Sequence, residues 1–157
     1  MPEIRADNNF QRGVEHKFEV KNENETNAVA SEFILNLKPG DTVALFGDLG
    51  AGKTAMVRAM SRSLGYNGFV NSPTFTLLNI YPTIDFEIYH FDFYRIEFEE
   101  EASGIGFEEY VENDGICFIE WPEKVSHLLP KERYEIHLSV PDYINNPEAR
   151  TIRISKN

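Results

Sequence analysis

Eight consecutive residues constrain this chain more than all the others. Gly47-Asp48-Leu49-Gly50-Ala51-Gly52-Lys53-Thr54 fits the pattern G-x-x-x-x-G-K-[ST] in full. The spacing has a chemical reason. Glycines let successive backbone N–H groups turn inward on an anion. A helix starting at the end of the loop adds the positive end of its dipole. A lysine there reaches the β- and γ-phosphates of a nucleotide, and the next hydroxyl ligates Mg²⁺. Chance gives such a match in roughly 0.5% of chains this long, so the flanks decide whether it is real.

The flanks agree. Thr42-Val43-Ala44-Leu45-Phe46 is a short apolar run, the pattern of a buried parallel strand. Met56, Val57, Met60 and Leu64 then recur at helical spacing, and Gly65 stands where a helix stops. Strand, loop and helix is the setting that the motif requires, and a glycine-rich turn binding nothing does not need it.

The order of elements predicts an α/β fold. We expect a P-loop NTPase-like three-layer sandwich, with a mostly parallel central sheet and antiparallel additions. Lys17–Val20 reads as an edge strand. Asn24 reads as the cap of a helix running to about Leu37, with Ala30, Phe33, Ile34 and Leu37 inward. Runs at 76–81 and 86–93, split by Pro82-Thr83-Ile84-Asp85, read as a hairpin. Glu123–Leu129 reads as a short helix, and 133–140 and 150–155 as two closing strands. Residues 1–157 form one expected domain, with 1–15 loose.

Composition narrows the function. With 15 Lys and Arg against 26 Asp and Glu, the net charge is −11. Gripping nucleic acid depends largely on basic residues displacing counterions, so direct binding of RNA or DNA is not expected. No apolar stretch is long enough to span a membrane, and the first residues are too polar for a signal peptide, which predicts a cytoplasmic protein. The one cysteine, Cys117, reads as a small buried hydrophobe. Residues 96–114 carry eight acids and no Lys or Arg. They read either as a solvated helical face or as a docking surface for a basic partner.

Hydrolysis needs more than a phosphate loop. In such folds the remaining groups sit at the C-terminal ends of strands beside the loop. Ile116-Cys117-Phe118-Ile119-Glu120 is an apolar strand closing on an acid. Glu120 is therefore a candidate for orienting water or for holding Mg²⁺ through a water. Ile88-Tyr89-His90-Phe91-Asp92 is a second such strand, and Asp92 is a candidate metal ligand or an ion-pair partner of Arg95. His90 shares a strand face with Asp92 and reads as a packing or hydrogen-bonding residue rather than a base. Arg95, past the strand end, reads as a structural pairing residue or as a cation for the γ-phosphate.

Four segments together resemble the TsaE (YjeE) family: the G-D-L-G-A-G-K-T loop, Ser72-Pro73-Thr74-Phe75, His90-Phe91-Asp92-Phe93-Tyr94-Arg95 and Ile119-Glu120-Trp121-Pro122-Glu123. The similarity runs from about residue 20 to 140. These are ATPases of tRNA threonylcarbamoyladenosine synthesis. The resemblance implies binding of ATP and Mg²⁺ and a partner like the TsaB–TsaD transferase complex, reset between turnovers. It implies nucleotide contacts from Asp48, Leu49, Gly50, Ala51, Gly52, Lys53 and Thr54. Thr74 would belong to a mobile loop near the γ-phosphate, Trp121 would lie beside the site, and Thr26 would lie near the adenine. Thr54, Asp92 and Glu120 would serve Mg²⁺, with Glu120 and Lys53 catalytic.

Three other functions fit the loop less well. A metabolite kinase wants further clustered Arg and Lys, which are sparse here. A GTPase switch wants an N-K-x-D segment, which this sequence lacks. A nucleotide-gated adaptor would bind tightly and turn over negligibly.

Overall fold

The run before the loop forms β2, Thr42–Phe46, in which Val43, Ala44 and Leu45 are fully buried. Continuous apolarity is what a strand covered on both faces requires. The computed structural model describes residues 10–157, and residues 1–9 lie outside it. The strands are β1 Glu15–Val20, β2, β3 Leu78–Pro82, β4 Glu87–Asp92, β5 Ile116–Glu120, β6 Tyr134–Ser139 and β7 Arg150–Lys156. They form one sheet in the order β1-β7-β6-β2-β5-β4-β3. β6, β2, β5 and β4 run parallel through its middle. β7 and β1 extend one side antiparallel, and β3 extends the other. The predicted α/β architecture is the observed one.

Helices cover both faces. The helices α1, Glu23–Phe33, and α2, Lys53–Ser63, pack on one face. On the other lie α3, Glu100–Gly104, and α4, Phe107–Glu112, with a 3-10 turn at Pro122–Val125. Strand alternation distributes the side chains between them. Ile88, Ile116 and Phe118 join the α1/α2 core, whereas Tyr89, Phe91, Cys117 and Ile119 join the α3/α4 core. By the same alternation His90, Asp92 and Glu120 face the loop side.

The local signals worked where they were chemically complete. α2 ends as Gly65 predicts: the Gly65 amide donates to Arg62 O at 3.1 Å and the Tyr66 amide to Ser61 O at 3.0 Å. Gly65 takes φ +106°, cheap only for glycine. The acidic stretch forms α3 and α4, and most of its carboxylates are exposed.

Three expectations need correction. The cap of α1 is Asn22, not Asn24: its side chain accepts from the Glu25 amide at 3.0 Å. That helix also ends at Phe33, and Ile34–Asn36 is a 3-10 turn. The predicted helix at 123–129 is the 3-10 turn at Pro122–Val125 followed by turns. Of the stretch expected to be loose, residues 1–9 lie outside the described residues; beyond them Phe10 is buried, edge-to-face with Phe33 at 5.6 Å between centroids, and Arg12 forms a backbone bridge with Lys156.

Cys117 is buried in β5, and burial pushes its thiol up to about 12. Only the thiolate reacts, so alkylation near pH 8 should run roughly 10³-fold slower in the folded protein than in guanidinium. Equal rates in both states would show that the thiol is accessible.

Candidate active site

The loop is held where its backbone can face a phosphate. Gly47 leaves β2 against β6. A Cβ there would stand 2.7 Å from the Leu138 carbonyl oxygen, so no side chain fits. Gly52 caps α2 with φ +102°, and the Met56 amide donates to its carbonyl at 2.9 Å. The α2 N-terminus therefore opens directly onto the loop, with its free N–H groups and positive dipole end.

A cavity of about 340 Å³ lies over that terminus. Leu49, Gly50, Gly52, Lys53, Thr54 and Ala55 form one wall. Ser72, Thr74, Asp92, Tyr94, Glu120 and Trp121 form the rest. The four segments singled out in the sequence thus meet at one place. β-sheet register explains it, because Asp92 and Glu120 are paired neighbours at the ends of β4 and β5, and Leu45 pairs with Glu120 across β2.

Lys53 is only 5% exposed. Its ammonium donates to the Gly47 carbonyl and sits 3.6 Å from the centroid of the Trp121 ring. Burial lowers its pKa, against the opposing pull of Glu120, Glu123, Asp92 and Asp48. Trp121 reaches it because its backbone is left-handed, φ +57°, which aims the indole back across the cavity before Pro122 starts the next turn. Such a conformation costs a bulky residue on the order of 1–2 kcal/mol. Tyr94 packs beside the indole, 4.9 Å between centroids.

The opposite wall is acidic and fully hydrogen-bonded. Thr54 Oγ1 donates to Glu120, 3.0 Å from Oε1 and 2.9 Å from Oε2. His90 Nε2 lies 2.6 Å from Glu120 Oε2. Asp92 accepts from Ser72 Oγ, from Thr74 Oγ1 at 3.2 Å and from the Tyr94 amide at 2.9 Å. Among the described residues no ion pair joins Asp92 to Arg95. The Arg95 guanidinium instead stacks over Phe75 at 4.3 Å.

These donors suit a hard cation that also binds phosphate oxygens. Thr54, Asp92 and Glu120 offer a hydroxyl and two carboxylates to the same cavity. Among the described residues no three His, Cys, Asp or Glu cluster as a cage. Mg²⁺ at nucleotides needs none, since waters and phosphates complete its octahedron.

Thr26 and Ala51 lie in an adjoining cavity of about 130 Å³ that shares Gly52 and Ala55 with the first. Asp48 lines neither; its carbonyl accepts from the Ala51 amide at 3.0 Å inside the loop. Sequence reasoning missed Arg150, whose Nε donates to the Ala51 carbonyl at 2.8 Å. A lone arginine opening the last strand carries no signal. Tyr81 was missed too. It sits 2.8 Å from His90 Nδ1, and hairpin alternation, once the register is known, puts both on one face.

The family model described as "Threonylcarbamoyl adenosine biosynthesis protein TsaE" matches residues 20–150. The chain belongs to the TsaE family. A Rickettsia typhi tRNA threonylcarbamoyladenosine biosynthesis protein TsaE is 44% identical over 135 residues, covering 85% of this chain and 92% of that protein. Its Bacillus subtilis counterpart is 40% identical over 120 residues, covering 76% and 75%. Among solved structures, Bacillus subtilis YdiB superposes with a TM-score of 0.74 at 32% identity, covering 90% of this chain and 84% of that one. TsaE membership places the chain in tRNA threonylcarbamoyladenosine biosynthesis, in a P-loop family whose fold is consistent with ATP binding. Among the described residues no helix is long and apolar enough to cross a membrane.

Proposed function

We propose that this chain is a cytoplasmic, Mg²⁺-dependent ATPase that serves a transferase complex resembling TsaB and TsaD in the threonylcarbamoyladenosine modification of tRNA. One observation carries the reading: Lys53, Thr54, Asp92 and Glu120 line the same cavity at the N-terminus of α2. Lys53 neutralises the β- and γ-phosphates, and loop amides hold them in place. Thr54, Asp92 and Glu120 would hold the metal, which would draw charge from the phosphate oxygens when bound. Glu120 orients the attacking water, its carboxylate fixed at the cavity wall. Ser72 and Thr74 tie the 71–77 loop to Asp92. That loop is therefore placed to respond to the terminal phosphate. Thr26 and Ala51 border the space left for the nucleoside.

Among the described residues Lys53 is the one basic side chain lining the cavity, which favours hydrolysis over a metabolite kinase needing cations for a second substrate. A net charge of −11 argues against direct contact with tRNA and suits docking of the acidic 96–114 face on a basic partner. The test is co-purification with the partner complex, with and without ATP, followed by an ATPase assay. We expect slow turnover alone and at least about 10-fold stimulation in the complex, in line with partner-assisted NTPases. Association indifferent to ATP, with an unchanged rate, would overturn the reading.

A further inference from the structure

His90 is fully buried on the loop-facing side of β4 and does not line the cavity. Its two ring nitrogens are both engaged, Nε2 with Glu120 Oε2 at 2.6 Å and Nδ1 with the Tyr81 hydroxyl at 2.8 Å. An ionised carboxylate only accepts, so Nε2 carries the hydrogen. The Tyr81 hydroxyl, with one hydrogen to share between Nδ1 and the Asn71 carbonyl, holds the other side of the ring. We propose that His90 is a positioning residue for Glu120, and that Tyr81 clamps its ring. The proposal rests on the ATPase reading for the role of Glu120.

The reason lies in which partners Glu120 keeps. Its side-chain partners are Thr54 and His90. With Mg²⁺ bound, Thr54 would be one of the residues holding it, which would leave His90 as the remaining side-chain partner of the carboxylate. The His90 bond then fixes which oxygen of Glu120 faces the cavity. Both groups are nearly or wholly removed from water, 3% and 0% exposed, where such a bond is stronger and a freed carboxylate more costly. Tyr81 in turn reaches the Asn71 carbonyl at 3.3 Å, so the clamp touches the start of the 71–77 loop.

Two variants separate the ring's two contacts. In His90→Gln the side-chain amide nitrogen falls near the place of Nε2 and keeps the bond to Glu120. In His90→Asn it falls near Nδ1 and keeps only Tyr81. We expect His90→Asn to lower kcat about 10–100-fold, the usual range for partners behind a site, with nucleotide Kd within about twofold. His90→Gln should recover to within a few-fold of wild type. Equal loss in both variants, or loss in neither, overturns the proposal. Nitrogen-15 histidine NMR of the nucleotide-free protein gives a readout independent of turnover. It should show His90 protonated at Nε2, with that signal shifted in Glu120→Gln. A bare Nε2 also overturns the proposal. A wild-type protein without ATP turnover, alone or with its partner, would count against the ATPase reading and leave the NMR test standing.

Discussion

Lys53→Ala should abolish productive nucleotide binding. Among the described residues the side chain supplies the one ammonium lining the cavity, which Asp92 and Glu120 also line. Without it a polyphosphate meets two carboxylates with only loop amides to offset them. Truncating one partner of a desolvated charge pair commonly costs about 2–5 kcal/mol, so affinity should fall at least roughly 30-fold. Losing a donor that meets developing charge typically removes a further 10²–10³ in kcat. Lys53→Arg would not restore the function, because the larger planar guanidinium does not fit the slot between Gly47 and Trp121 as a point charge does. The protein carries one tryptophan, Trp121, which reports directly on Lys53. A fluorescence titration with ATP, repeated by calorimetry, measures the loss. Wild-type affinity in Lys53→Ala would remove the loop lysine from the site.

Glu120→Gln should separate binding from turnover. The amide keeps the shape of the carboxylate and an oxygen for the Thr54 hydroxyl, so the cavity wall survives. It loses the charge that orients water and accepts a proton. General-base contributions of about 10²–10⁴ set the expected fall in kcat. Nucleotide affinity should hold or rise, since one negative charge beside the phosphates is gone. Steady-state hydrolysis and nucleotide titration on the same preparation give both quantities. Turnover at the wild-type rate would show that Glu120 is not the catalytic carboxylate.

The segments that were legible in the sequence share a physical property. β2, β5 and the loop announce themselves because a covered parallel strand must be apolar throughout and a phosphate turn must be glycine-rich. The start of α1 was misplaced because two asparagines compete there. Counting forward decides it: Asn22 stands three residues before Glu25, whose amide it accepts, and the Glu25 carboxylate reaches back to the Lys21 amide at 2.7 Å, an arrangement with no counterpart three residues after Asn24. The 123–129 segment carried helix-forming residues, yet only Pro122–Val125 is regular, as a 3-10 turn entered from the left-handed Trp121. Asp92 and Glu120 were readable as acids closing apolar strands. Tyr81 and Arg150 were not, since each acts through a contact distant in sequence and visible only once strand order and register are fixed.

The loop leans on strands made long after it. Its first glycine lies against the Leu138 carbonyl of β6, and its Ala51 carbonyl is held by Arg150 at the start of β7. A chain still emerging from the ribosome therefore has the full eight-residue motif about a hundred residues before it has the supports that shape it. Synthesis order delays the site until the last strand inserts between β1 and β6, so a truncated product keeps the motif without its two rear braces.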